Sequence, residues 1–332
     1  MNSTIQLLTV IDGITVEGDY DASDHIAPFL YFSNDPGVVA DLVADETESF
    51  RRQFGEINFK KVKESKATVF LQMPCPDSLP ANSIDQLMRN FRKMASAFTM
   101  FLWVVKDSSA SVGSIYFMLN KLACIVENPS SLSSNCKGLV APVTLQRDDI
   151  KSAIGLLQRY GLLQTKGHKP SPFGTVKRPR ELRSAFLRDK SRLSKALLML
   201  SVVRQCEDMA LKIAHYCSCF EILFSSASDK EAISHKIAER IAVFLNGSAN
   251  ERVAVYEDIR DAYGVRCDVF HGAFLKSARE SELERLCVRC DTLLRATLRR
   301  ILESPEHAAL FEDKVDKFDQ YFRDCIFGAY AT

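Results

Sequence analysis

The chain has 332 residues, of which 46% are apolar and 26% charged, with 43 Lys and Arg against 42 Asp and Glu. That balance belongs to a folded globular protein of about two domains and excludes a disordered chain, a collagen-like fibre and a coiled-coil rod. The longest apolar runs, Ala97–Val105 and Ala196–Val203, fall well short of the roughly 20 residues that span a bilayer, and the first basic residue is Arg51, so the positive n-region of a signal peptide is missing; a cytoplasmic protein with no membrane contact is expected.

Residues 1–50 hold ten acidic side chains and no basic one. Within them, residues 3–20 alternate enough for two short strands joined around Asp12-Gly13, a hairpin signal. Ala67–Met73 reads as a strand that stops at Pro74 and Pro76. Ser83 is placed to N-cap a helix running through Met94 to Phe98. Met100–Asp107 and Ser114–Asn120 are further strand candidates, bracketing a serine-rich loop. Asn128–Gly138 is a loop by composition, and Asp148–Tyr160 reads as a helix ending near Gly161. Thr165–Pro179 contains three prolines and two glycines, the clearest boundary in the chain.

Beyond that boundary the patterning is helical. Ile233, Ile237, Ile241 and Leu245 recur four apart. Leu283, Leu286, Cys287, Cys290, Leu293, Leu294, Leu298 and Ile301 keep a spacing of three to four. Gly247 and Gly272 are plausible helix stops. The fold class is therefore α+β: a mixed α/β domain over 1–165 of unknown role (sensor or regulatory), a basic linker over 166–190, and an all-α bundle over 191–332. Residues 166–204 hold eleven basic side chains against two acidic ones. This makes the stretch with Lys177, Arg178, Arg180 and Arg183 the best candidate for a polyanion contact.

Ten cysteines are too few for a disulfide scaffold of this length, and in the cytosol they stay reduced. His215, Cys217 and Cys219, with Cys287-x-x-Cys290, have spacings that tempt a zinc reading. Both clusters lie inside helical patterns, where Cys serves as a small apolar residue, so no metal and no other cofactor is expected.

One segment of the bundle carries chemistry: Arg260–Gly272, RDAYGVRCDVFHG. Arg266 and His271 are five apart, which on a regular helix is an offset of about 140°, so they do not share a face. Gly272 lets the chain leave the helix directly after His271. From spacing alone, the pair reads as a helix-terminal histidine beside an unrelated surface arginine.

Three segments in order change that reading. Residues 215–226 (HYCSCFEILFSS), with Glu221, residues 234–247 (SHKIAERIAVFLNG) and residues 256–272 (YEDIRDAYGVRCDVFHG) together resemble the core helices of the Apea-like HEPN family over Arg192–Leu302. HEPN domains are small helical bundles, and many are ribonucleases of prokaryotic immunity and stress responses. The resemblance implies that Arg266 and His271 form an R-x4-H catalytic motif. It implies metal-independent cleavage of RNA to a 2′,3′-cyclic phosphate and a 5′-OH end, in anti-phage defence or abortive infection. It also implies a homodimer in which two such motifs meet. In active members the residue after the motif arginine is commonly polar. Here it is Cys267, and Asp268 one place later is the candidate to supply the polar group. Glu221 is expected to be structural, a buried carboxylate that orients Arg266 or another helix. The alternative is a non-catalytic HEPN module that binds RNA or a protein partner. The N-terminal region is expected to meet a phage or host trigger.

Overall fold

The protein's structure, a computed structural model, describes residues 3–18, 25–43, 51–52, 54–75, 83–119, 123–128, 132–164, 191–226, 229, 231–272, 280–312 and 315–328. The chain divides into two units. The first comprises Met1–Ser133 and Val140–Val176, the second Ser134–Leu139 and Lys177–Thr332. The structure is mixed α and β, with an antiparallel sheet in the first unit and helices throughout the second.

In the first unit the strands are β1 (Thr4–Asp12), β2 (Ile14–Val16), β3 (His25–Ala27), β4 (Leu30–Ser33), β5 (Thr68–Pro74), β6 (Ser111–Leu119), β7 (Ala123–Glu127) and β8 (Val143–Leu145). Six of them form a sheet in the order β3-β4-β5-β1-β6-β7, with every neighbouring pair antiparallel. The helices of this unit are α1 (Pro36–Leu42), α2 (Glu56–Lys63), α3 (Ser83–Val105) and α4 (Arg147–Gln164).

Seven consecutive residues of β1 are buried, Ile5 to Ile11, because the sheet is covered on both faces. On one face Leu8, Val10, Phe70 and Tyr116 pack with Val39 and Leu42 of α1 and Phe59 and Val62 of α2. On the other, Phe32 meets Phe98 of α3 with ring centroids 5.5 Å apart. A strand buried on both sides loses the alternation that marks a half-exposed one.

Three expectations are corrected here. The strands around Asp12-Gly13 exist, but they are not a hairpin: β2 leaves β1 and pairs in parallel with β8, Ile14 opposite Val143. Gly13 has φ +80°, and a Cβ there would stand 2.6 Å from the Ser109 carbonyl oxygen, so the turn is set by that close approach. Met100–Asp107 is not a strand. Its residues through Val105 complete α3, where Phe101, Leu102, Trp103 and Val104 are all buried. A short fully apolar run has no periodicity to tell helix from strand. Gly161 does not end its helix, which continues to Gln164.

The second unit contains α5 (Arg192–Gln205), α6 (Met209–Phe224), α7 (Ile233–Leu245), α8 (Ala249–Phe270), α9 (Glu280–Glu303), α10 (Pro305–Glu312) and α11 (Val315–Phe327). Caps explain several starts. Asp208 accepts from the Leu211 N–H at 2.8 Å at the head of α6, and Ser248 and Glu251 close a capping box on α8. The α6 helix is the central element, packed against α5, α7, α8 and α9. At its end Phe224 meets Phe244, Phe311 and Phe322 at 5.6–5.8 Å, edge-on contacts that aromatic quadrupoles favour. The helix over 233–245 ends at Asn246, in the left-handed region at φ +52°, one residue before the expected Gly247.

The hexapeptide Ser134–Leu139 belongs to the helical unit. Its Ser134 N–H donates to the Arg204 carbonyl at 2.6 Å, Cys287 Sγ donates to the Cys136 carbonyl at 2.9 Å, and Lys137 pairs with Glu284 at 2.5 Å. Lys212 of α6 is only 1% exposed. It donates to the Val203 carbonyl at 2.7 Å and to Ser134 Oγ at 3.0 Å.

Candidate active site

Glu221 lies on the last turn of α6 and Arg266 on the last turns of α8, two helices packed against each other. Arg266 Nη2 stands 3.1 Å from Glu221 Oε1, and both side chains are about two-thirds covered. The ion pair therefore sits at the rim of a cleft rather than in the core. Tyr263, one turn before Arg266, puts its ring 5.8 Å from the guanidinium carbon, and Phe270 its ring at 5.5 Å. Two rings and a carboxylate thus hold one cation, through contacts typical of arginine on aromatic faces.

The cleft measures about 480 Å³ and is lined by Glu221, Tyr263, Arg266 and the start of α7, residues 232–234. That helix begins at Ala232, in the left-handed region at φ +53° and with no side-chain cap. Arg260 Nη1 donates to Ser234 Oγ at 2.7 Å, which ties the α7 start to α8. Burial pushes the Tyr263 phenol well up, and the Glu221 carboxylate adds to it, so Tyr263 stays protonated at every physiological pH.

His271 is the C-cap of α8, exposed, with its backbone N–H on the Cys267 carbonyl at 2.9 Å. Gly272 follows at φ +69°, a conformation that suits glycine and turns the chain away. Cys267 is exposed and Asp268 half-buried on the same last turn. The fold thus brings Glu221 and Arg266 together, while His271 stands at the helix end and is not among the described residues that line the cleft.

Tyr263 is a cleft-lining residue beside Arg266 that the sequence reading did not single out for the site. Its signal was the i, i+3 spacing to Arg266, which places both on one helix face. Lys177, Arg178, Arg180 and Arg183 lie outside the described residues. At the far end of the same basic stretch, Arg204 is buried and Arg192 is packed over the Phe318 ring at 4.3 Å, so these two are structural.

Cys217, Cys219, Cys287 and Cys290 are buried on α6 and α9. Burial pushes the thiols of Cys217, Cys219 and Cys290 up, which keeps them protonated and inert. Among the described residues, no three His, Cys, Asp or Glu side chains converge as metal ligands do, and no helix is long and apolar enough to cross a membrane. No protein-family model, curated protein or solved structure matches the chain.

Proposed function

We propose that the chain is a metal-independent endoribonuclease of the HEPN type that acts in the cytoplasm, cutting RNA in anti-phage defence or abortive infection when a phage or host trigger reaches its N-terminal unit. One observation supports this reading above the others: Arg266 is held by Glu221 at the rim of an open cleft, and the same helix ends on an exposed His271. RNA carries its own nucleophile. The 2′-OH attacks the neighbouring phosphorus, the P–O5′ bond breaks, and the products are a 2′,3′-cyclic phosphate and a 5′-OH end. One imidazole takes the 2′ proton and a second, from another copy of the chain, returns a proton to the departing 5′ oxygen. Imidazoles titrate near neutrality and suit both roles. Arg266 offers paired donors to the phosphoryl oxygens as charge builds on them. Its 140° offset from His271 (five residues at about 100° each) makes a site shared between two protomers the natural way to gather both groups.

The same ion pair favours a second reading, a non-catalytic module that binds RNA or a protein partner, because Glu221 already compensates the Arg266 charge. Sequencing of 5′-OH RNA ends after induced expression separates the two. The nuclease reading expects new ends with wild type and none with Arg266→Ala or His271→Ala, in folded protein and with EDTA present. RNA bound but left uncut by the wild type would replace it with the second reading.

A further inference from the structure

In the first unit, the register of the sheet builds a second cleft, whose role does not depend on the ribonuclease reading. Tyr31 is opposite Phe70, Phe70 opposite Leu8, and Leu8 opposite Tyr116. Two residues along β1, Gln6 is opposite Gln72 on one side and Met118 on the other. The period of two puts Gln6 on the same face as the aromatic row. A cleft of about 810 Å³ opens there, bounded by Gln6, Gln72, Phe29, Tyr31, Phe70 and the α1 residue Asp41.

Gln6 is 4% exposed, and its amide oxygen is buried with no hydrogen-bond partner. Its neighbours Ile5, Leu7 and Leu8 are fully buried apolar residues. Packing alone would be served by another apolar side chain at that position, since a buried acceptor without a donor costs stability. Phe29 adds a second irregularity. It sits in the left-handed region at φ +64°, strain of the kind that functional sites retain, and the residue is 46% exposed while lining the cleft. Tyr31 and Phe70 stack on each other, centroids 5.2 Å apart and planes 18° from parallel, and both border the cleft beside Phe29.

These features select a ligand. The volume suits a small molecule, and three aromatic side chains in the lining, with Phe29 exposed, suit a planar ring. The Gln6 amide, turned about its last bond, presents either a carbonyl or an NH2, so it matches a ring edge with a donor beside an acceptor. Among the described lining residues no side chain is basic, so they offer a phosphate no cation. The geometry points to a binding site for an uncharged planar nitrogen heterocycle of nucleobase type, taken as a nucleoside rather than as its phosphate ester.

The test is calorimetric titration of the full chain with adenosine, guanosine, cytidine and uridine, each beside its 5′-monophosphate, and repetition with Gln6→Met. The expected result is saturable binding of at least one nucleoside, weakened about tenfold both by the phosphate and by Gln6→Met, with the melting temperature of the variant unchanged or raised. Equal affinity in wild type and Gln6→Met, tighter binding of the monophosphate, or no saturable heat with any nucleoside up to about 1 mM would overturn it. If Gln6→Met does not fold, Phe29→Ala takes its place at an exposed turn position, and unchanged affinity in that variant would overturn the site equally.

Discussion

Lys212 shows how far a single side chain departs from its local pattern. It is one charge in an otherwise apolar stretch of α6, which pattern reasoning assigns to the wet face of the helix. Its burial is decided by acceptors nine and 78 residues away, Val203 and Ser134, and no local window contains them. Burial lowers its pKa below the ordinary 10.5, opposed more weakly by the nearby Cys287, Cys206 and Asp291. Between the lowered value and 10.5 the unfolded chain binds more protons than the folded one, so stability rises with pH in that window. A Lys212→Met chain lacks this titration. Wild type is therefore expected to gain stability relative to it as pH climbs toward 10.5. Denaturant midpoints of both chains across the alkaline range check this, and a pH-independent difference would contradict it. The Arg266–Glu221 contact, by contrast, was legible in part: one of the two expectations for Glu221 was that it orients Arg266, the other that it orients another helix, and spacing alone does not choose between them. Tyr263 carried no such cue beyond its i, i+3 position.

At the scale of elements, the sequence was most readable where one face is wet and least where both are buried. The amphipathic α9 announced its stripe from Leu286 to Ile301, all on its buried face. The tail of α3, apolar on every side, read as a strand. Composition marked 128–138 as a loop, and nothing in it shows that Ser134–Leu139 is built into the helices. Gly138 is the sharpest constraint there: φ is +76°, and a Cβ would lie 1.8 Å from the Glu207 carbonyl oxygen. Both chains are backbone, so neither yields as a flexible side chain would. Gly138→Ala is expected to cost about 2–4 kcal/mol, read as a lower midpoint in urea. Gly155, inside α4 with nothing within 4 Å of its would-be Cβ, is the control. Gly155→Ala should stabilise by about 0.5–1 kcal/mol. A mild Gly138→Ala would mean that the hexapeptide can leave its seat cheaply.

For the whole molecule the charge distribution and the shared site make separate claims. Reversing Lys177, Arg178, Arg180 and Arg183 to Glu is expected to weaken RNA binding and flatten its dependence on log salt concentration, because fewer counterions are released. An unchanged slope would assign that stretch to solvation. If each working unit needs two His271 side chains, then mixing wild type with His271→Ala under exchanging conditions leaves activity proportional to the square of the wild-type fraction. A linear fall would sink the shared site. The hexapeptide also sets an order of events during synthesis. Ser134 leaves the ribosome 70 residues ahead of Arg204, and Cys136 leaves 151 residues ahead of Cys287. At about 5–20 residues per second, the segment waits on the order of ten seconds for its last partner. The nascent chain must keep this stretch soluble and unclaimed until those helices are made. The two halves of the molecule are thereby bound into one biosynthetic act: a helical fragment starting at residue 191 would emerge with Lys212 and Cys287 facing empty seats, and a peptide spanning 134–139 supplied in trans is what should restore them.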